Sequence, residues 1–279
     1  MKRFSVLISV YWKENPLYLT ESLKSIYYCQ SLKPSEIVLV EDGPLSDDLY
    51  RVIQNFANDN PNLLRILKLE ENVGLGKALE MGMQYCSYEI IARMDSNDIC
   101  DPQRFEKQIK FLEDNPKIDI VGSWIAEFIK SPGEVVFIRK VPKTHSEIFK
   151  FAKFRNPMNH ITVMFKKTAV LRAGSYKHFL LFEDYYLWLR MLMNNAKFAN
   201  IPECLVFVRA GNNMLNRRRG INYLNNEIKM QKEMLNMGFI SYLQFIRNLI
   251  FRGTVRLTRG RLMKYIYKTF ARKLKMKNA

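Results

Sequence analysis

Residues 89–98 read EIIARMDSND, an apolar β-branched run that leads directly into Asp95-Ser96-Asn97-Asp98. A short apolar run closed by polar residues is the pattern of a buried strand that opens into a loop. The pattern recurs upstream in residues 4–11 (FSVLISVY), 36–40 (EIVLV) and 64–69. Between these lie residues 16–28, 49–56 and 76–85, whose apolar side chains fall at helical spacing. Strands alternating with helices predict βαβ units, hence an α/β fold with parallel pairing and right-handed crossovers. Ligands of such sheets bind beyond the carboxyl ends of the strands. The polar clusters after the second strand (Glu41-Asp42-Gly43-Pro44) and the fourth (Asp95 to Asp98) are therefore the first places to look for chemistry. After a helix at 104–113 the pattern turns mixed. Strands are expected at 118–125, 161–165 and 204–208, with an amphipathic helix at 182–193.

The chain has 279 residues, 48% hydrophobic and 25% charged, which excludes disordered, collagen-like and low-complexity classes. Cys29, Cys86, Cys100 and Cys204 form no CxxC pair, so neither a zinc ribbon nor a disulfide framework is expected. Met1-Lys2-Arg3 runs into an apolar segment too short for a cleavable leader. No stretch approaches the roughly 18 apolar residues of a membrane span, so a cytoplasmic chain is expected.

The net charge of +17 is unevenly placed. Residues 1–208 hold 27 basic and 25 acidic side chains, whereas residues 209–279 hold 17 basic and only Glu227 and Glu233 as acids. From Met234 onward eleven cations alternate with large aliphatic and aromatic residues. This pattern fits a basic amphipathic helix on an anionic membrane surface. A helix pair packed on the rest of the chain and basic only outside fits it too. Nucleic acid is not expected as a partner, because no reading motif accompanies the charge.

Several residues could carry chemistry, and each has a plainer structural role. Asp42 could accept from a ribose hydroxyl or a base, or simply form the turn before Gly43-Pro44. Asn72-Val73-Gly74-Leu75-Gly76-Lys77 enters a helix whose N-terminus could receive phosphate with Lys77 beside it, yet it matches neither phosphate-loop fingerprint. Asp95, Asn97 and Asp98 offer hard oxygen donors to Mg2+ or Mn2+, with Arg93 as a phosphate contact; the alternative is a turn before the next helix. Glu183 and Asp184 open a helix, either for dipole reasons or with one carboxylate as a general base. His160, inside Asn156-Pro157-Met158-Asn159-His160, either lines a pocket or is hydrogen-bonded structurally.

Taken in order, VEDG, NVGLGKALEMG, ARMDSND, NPMNHITVMF and FEDYYLWLRM after a strand ending in Val10-Tyr11 resemble the family 2 nucleotide-sugar glycosyltransferases, of GT-A fold. The likeness covers about residues 3–210 and implies a catalytic domain over 1–210, leaving 211–279 as a basic, membrane-associating helical region. The stretch at 211–220, with Arg217 and Arg218, further resembles enzymes of bacterial O-antigen, capsule and amylovoran-type synthesis. The resemblance implies that Val10, Tyr11, Glu14 and Asp42 face the uridine of a UDP-sugar, with Lys77 and Arg93 near the nucleotide. It implies Asp95 at the ribose or metal-bound diphosphate, and Mn2+ or Mg2+ held within Asp95, Asn97 and Asp98. Asp184 would deprotonate the acceptor, and His160, Glu183, Arg217 and Arg218 would lie toward the acceptor and its diphosphate.

The implied reaction is an inverting transfer of galactose or glucose from a UDP-sugar to a polyprenyl-diphosphate-linked saccharide, through a β-1,3 bond onto an N-acetylhexosamine. The alternative within the family is a transferase using another donor. The implied place is the cytoplasmic face of the bacterial inner membrane. One departure stands out: the family reads Asp-x-Asp-Asp where this chain has Asn97, an uncharged donor. That substitution is the one residue favouring a non-catalytic scaffold of the same fold; Asp95, Asp98 and Asp184 weigh against it.

Overall fold

The computed structural model describes residues 3–210 and 220–257. Arg217, Arg218 and the chain beyond 257 lie outside the described residues.

The strand run that opens the chain, β1 (Phe4–Val10), is buried at every position but Ser9. β2 (Glu36–Glu41), β3 (Leu64–Lys68) and β4 (Ile90–Asp95) pair with it in parallel, in the order β3-β2-β1-β4. The crossovers are α1 (Pro16–Ile26), α2 (Asp47–Asp59) and α3 (Leu75–Tyr85). Alternate side chains of a strand point to opposite faces. Val6, Ile8, Ile37 and Leu39 accordingly enter one core, with Leu19, Leu23 and Phe105. Leu7, Val38 and Val40 enter a second core, on the other face, with Leu79, Trp188 and Phe198.

Beyond β4 the sheet becomes mixed. β5 (Ile99–Cys100) and α4 (Arg104–Asp114) lead to β6 (Ile120–Phe128), β7 (Val135–Arg139), α5 (His145–Ala152) and β8 (Met164–Lys166). α6 (Lys167–Arg172), α7 (Glu183–Met193) and β9 (Phe198–Arg209) complete the sheet region. β8 inserts antiparallel between β4 and β6, so β6 and β9 again run with the first four strands.

Parallel pairing thus holds for β1 to β4 and returns between β6 and β9, while β5, β7 and β8 pair antiparallel. Three local features mark where the chain departs from the expected elements. The strand expected at 161–165 begins at Met164, because His160–Thr162 forms a 3-10 turn held by Thr162 Oγ1, which donates to the Asn159 carbonyl at 2.8 Å. β9 starts six residues earlier than expected, at Phe198. Its register against β6 slips at Pro202-Glu203, where Ser123 faces Ile201 but Trp124 faces Cys204, and that bulge breaks the apolar pattern. β7 and α5 were not anticipated; α5 does carry a capping box, Thr144 with Glu147, that the sequence displays. All four cysteines are free thiols.

The two C-terminal helices, α8 (Ile221–Asn236) and α9 (Tyr242–Leu257), pack on the second core through Met230, Met234, Phe239, Ile240 and Phe245. Glu227 on α8 is ion-paired with Arg252 on α9, and both side chains are largely buried. Asn248 Nδ2 joins α9 to α8 and α5 by donating to Gln231 Oε1 at 2.8 Å and to the Lys153 carbonyl at 2.9 Å. Residues 221–257 are therefore continuous with the core of the sheet region. The outer face of α9 carries Tyr242, Leu243, Ile246 and Ile250, all exposed, with Leu243 at 81%. No helix among the described residues is long and apolar enough to cross a membrane.

Candidate active site

Parallel register sets the site. Val10 lies opposite Glu41 and Ser9 opposite Asp95, so the chain leaves three adjacent strands at one level, at Tyr11, Asp42 and Ser96. The loop after β2 must press against the loop before α3. A Cβ on Gly43, whose φ is +84°, would stand 2.6 Å from the Asn72 nitrogen, so only glycine fits. Asp42 is buried, and its Oδ1 accepts from the Val73 N–H at 2.8 Å while Oδ2 accepts from Asn72 Nδ2 at 3.1 Å. Burial raises its carboxyl pKa, opposed by N–H groups of Val73 and Gly74. The turn role is thus filled, and the carboxylate shapes the loop that enters α3. Lys77 stands exposed on α3 and pairs with Glu80 at 2.7 Å.

At the end of β4, Arg93 is 1% exposed and ion-paired with Asp95. Its Nε and Nη1 have no hydrogen-bond partner among the described residues. Buried, unpaired donors are costly, and an arginine so placed is matched to an anion. Ser96 Oγ donates to Glu14 Oε2 at 2.7 Å, tying the turn after β1 to this loop. Asp98 is buried and accepts from the Arg209 N–H at 3.0 Å, and Arg209 Nε donates to the Asn97 carbonyl at 2.9 Å. The Arg209 guanidinium, over Tyr18 at 4.2 Å, clamps the loop from β9.

Burial holds the Asp98 carboxyl well above the usual range; the charges of Asp95 and Glu14 push the same way, opposed by the Arg209 N–H and Arg93. Converging carboxylates that repel one another, with a neighbouring amide oxygen, fit a hard divalent cation. Among the described residues, no group of three or more His, Cys, Asp or Glu could by itself hold a metal ion.

The opposite wall comes from α7 and the segment before β8. α7 opens with Glu183 and Asp184 and has no side-chain cap. Asp184 Oδ2 accepts from Asn156 Nδ2 at 2.6 Å, and Oδ1 accepts from the Tyr185 N–H at 2.7 Å. Burial raises the Asp184 pKa, while the Asn156 and Tyr185 bonds counter it. Glu183 packs over the start of α3, where a Cβ on Gly76 would lie 3.1 Å from Glu183 Cβ. Burial, with Asp184 adding to it, pushes the Glu183 carboxyl up to about 7. A ring nitrogen of His160 lies 2.9 Å from the buried Tyr176 hydroxyl. Burial and the Arg93 charge hold His160 well below its ordinary pKa, so it stands neutral. Arg93 acts electrostatically on Asp98, His160, Glu183 and Asp184 alike, which marks it as the hub.

The structure therefore gathers Arg93, Asp95, Asp98, His160, Glu183 and Asp184, with Val10, Tyr11, Glu14 and Asp42 at the neighbouring strand ends. Lys77 is turned to Glu80 instead. Asn156, Tyr176 and Arg209 were not singled out from sequence. Asn156 before Pro157 reads as a turn, and Arg209 as the first cation of the basic region; nothing local marks either as a partner of an aspartate.

The glycosyl transferase family 2 model matches residues 5–180. The chain is 41% identical over 264 residues to the amylovoran biosynthesis glycosyltransferase AmsE of Erwinia amylovora, covering 95% of this chain and 97% of that one. It is 39% identical over 271 residues, 97% of each, to a UDP-Gal:alpha-D-GlcNAc-diphosphoundecaprenol beta-1,3-galactosyltransferase of Escherichia coli. Among solved structures, the mannosyltransferase PcManGT of Pyrobaculum calidifontis, in complex with GDP-Man and Mn2+, superposes with a TM-score of 0.66 at 17% identity, over 92% of this chain and 70% of that one. The fold is GT-A, as the sequence motifs implied. By the match of residues 5–180 and by near full-length relatives, the chain belongs to glycosyl transferase family 2, among the bacterial polysaccharide glycosyltransferases.

Proposed function

We propose that the protein is a metal-dependent, inverting hexosyltransferase. It moves galactose or glucose from a UDP-sugar to a saccharide carried on a polyprenyl diphosphate, forming a β-1,3 bond to an N-acetylhexosamine in surface polysaccharide synthesis. One observation carries the reading: the Asp184 carboxylate, oriented by Asn156 at 2.6 Å, stands in the same charged site as buried Arg93 and its partly exposed partner Asp95. A UDP-galactose donor and a beta-1,3 linkage stand in the name of the relative at 39% identity, which supports the galactose form of the reading.

Asp184 takes the proton of the acceptor hydroxyl as the oxygen bonds to the anomeric carbon. The bond from that carbon to the diphosphate breaks on the opposite side, which inverts the configuration. Arg93, with Nε and Nη1 unpartnered, meets the charge that grows on the leaving diphosphate. A bound Mn2+ or Mg2+, held by Asp95 and Asp98 with Asn97 beside them, would neutralise the same diphosphate. Val10, Tyr11, Glu14 and Asp42 border the uridine; Lys77 would have to exchange Glu80 to reach a phosphate. His160, neutral, and Glu183 border the acceptor. Arg217 and Arg218, outside the described residues, are assigned to the acceptor side.

The same reading takes the protein to the cytoplasmic face of the bacterial inner membrane as a peripheral protein. The excess of cations after residue 208 and the exposed apolar face of α9 support this. The test is transfer from a panel of UDP-hexoses to a lipid-diphosphate-linked N-acetylglucosamine, with Mn2+ and with chelator. Metal-dependent transfer from UDP-galactose or UDP-glucose is expected; no transfer from any UDP-hexose with any divalent ion would reject the reading.

A further inference from the structure

A groove of about 870 Å3 lies between α5 and α9, outside the carboxylate site. Its apolar surface is largely aromatic: Phe151 at the end of α5, Phe154 in the turn after it, and Phe251 from α9, with the Phe154 and Phe251 rings 5.1 Å apart. Its cations are Lys143, Lys150 and Arg247. Glu147 is the one acid that lines it, and that carboxylate is engaged by the backbone N–H groups of Lys143 and Thr144 at 3.1 and 3.0 Å. The groove is thus an apolar trough with a net positive rim.

Its position ties it to the reaction. Phe154 stands two residues before Asn156, the partner of Asp184. Tyr185, next to Asp184, donates its hydroxyl to the Ala152 carbonyl at 2.5 Å, so the first turn of α7 rests on the helix that lines the groove. β7 leads from Arg139, whose charge acts on Asp184, into the groove wall at Val141 to Lys143.

We infer that this groove seats the first isoprene units of the acceptor's polyprenyl chain, with its diphosphate between Lys143, Lys150 and Arg247. The inference rests on the lipid-diphosphate acceptor proposed above and adds where that lipid binds. An aromatic trough alone would take any hydrocarbon. The rim, with three cations against one acid, selects a chain that ends in a multiply charged anion.

The test is titration of the full chain, in one detergent, with a long polyprenyl diphosphate, the neutral polyprenol of the same length, and inorganic diphosphate. Polyprenyl diphosphate should bind about tenfold tighter than either of the others, because burying isoprene units and pairing the diphosphate both contribute. Phe251→Ser should remove most of the gain over inorganic diphosphate, and Lys150→Glu most of the gain over polyprenol. Lys150 is exposed on α5, so that variant keeps the test sound if Phe251→Ser lowers the melting temperature. Equal binding of polyprenyl and inorganic diphosphate, or wild-type binding by both variants, would overturn the groove. If transfer to lipid-linked acceptors fails while polyprenyl diphosphate still binds with this pattern, the acceptor reading falls and the groove stands. If transfer succeeds and both variants keep the wild-type ratio of KM values for long- and short-chain acceptors, the groove alone falls.

Discussion

Asn156 donates from Nδ2 to Asp184 Oδ2 at 2.6 Å, joining a loop before β8 to the first turn of α7. That bond does two things to the carboxylate: it fixes the orientation, and it counters the rise in pKa that burial imposes. The proposed base must be ionised to act, so on that proposal the bond keeps Asp184 competent at lower pH. Asn156→Ala should therefore move the acid limb of the kcat/KM profile to higher pH by about one unit, the worth of a hydrogen bond to a charged group. A fall in kcat with the acid limb unmoved would leave Asn156 a merely structural residue.

Asp95 and Asp184 stand on opposite walls of the site, so their variants should separate binding from chemistry. Asp95→Ala removes the carboxylate proposed to face the diphosphate and should weaken UDP binding in Mn2+ by about tenfold or more. Asp184→Asn should change UDP affinity little and cut turnover by at least about a hundredfold. Calorimetric titration with UDP, with and without Mn2+, reads the first, and release of UDP in the presence of acceptor reads the second. Near-normal turnover by Asp184→Asn would remove it as the base.

Glu183 tests the electrostatics through stability. Its carboxyl is raised from 4.5 to about 7, chiefly by burial and then by Asp184. Between those values the folded chain holds a proton that the unfolded chain has released, so stability falls as pH rises through the window. Glu183→Gln has no proton to lose. Its melting temperature relative to wild type should be higher at pH 8 than at pH 4.5, with the change falling between those two values. A difference that is the same at both pH values would show that Glu183 is not held proton-rich.

How much of this was legible in the sequence depends on how local each signal is. Buried parallel strands are written as continuous apolar runs, so β1, β2 and β4 and the polar ends that follow them could be read directly. Asp95, Asp98 and Asp184 could be picked out because each follows or opens a periodic element. Edge strand β7 is half-exposed and lacks that run, while the Pro202-Glu203 bulge hides the true start of β9. The pairings Asn156–Asp184 and Arg209–Asp98 span 28 and 111 positions, and no spacing rule predicts a contact of that range. The direction taken by Lys77 was likewise invisible: Glu80, one helical turn on, competes for it locally.

The basic C-terminal region needs a test that respects its packing. Met234, Phe239, Ile240 and Phe245 belong to the core that α7 shares, so a cut at 234 would strip apolar surface from the fold itself. A cut after residue 257 keeps the Glu227–Arg252 pair and the Asn248 bridges. It removes eight cations and no acid. Each cation near an anionic surface contributes about 1 kcal/mol, less at high salt. The shortened chain should melt within a few degrees of wild type, and its co-sedimentation with vesicles rich in anionic lipid should fall sharply. Wild type should show the same fall when salt is raised, because screening acts on those charges. Full co-sedimentation of the shortened chain at low salt would take the membrane role away from residues 258–279 and leave it to Leu243, Ile250 and their neighbours on α9, or to nothing.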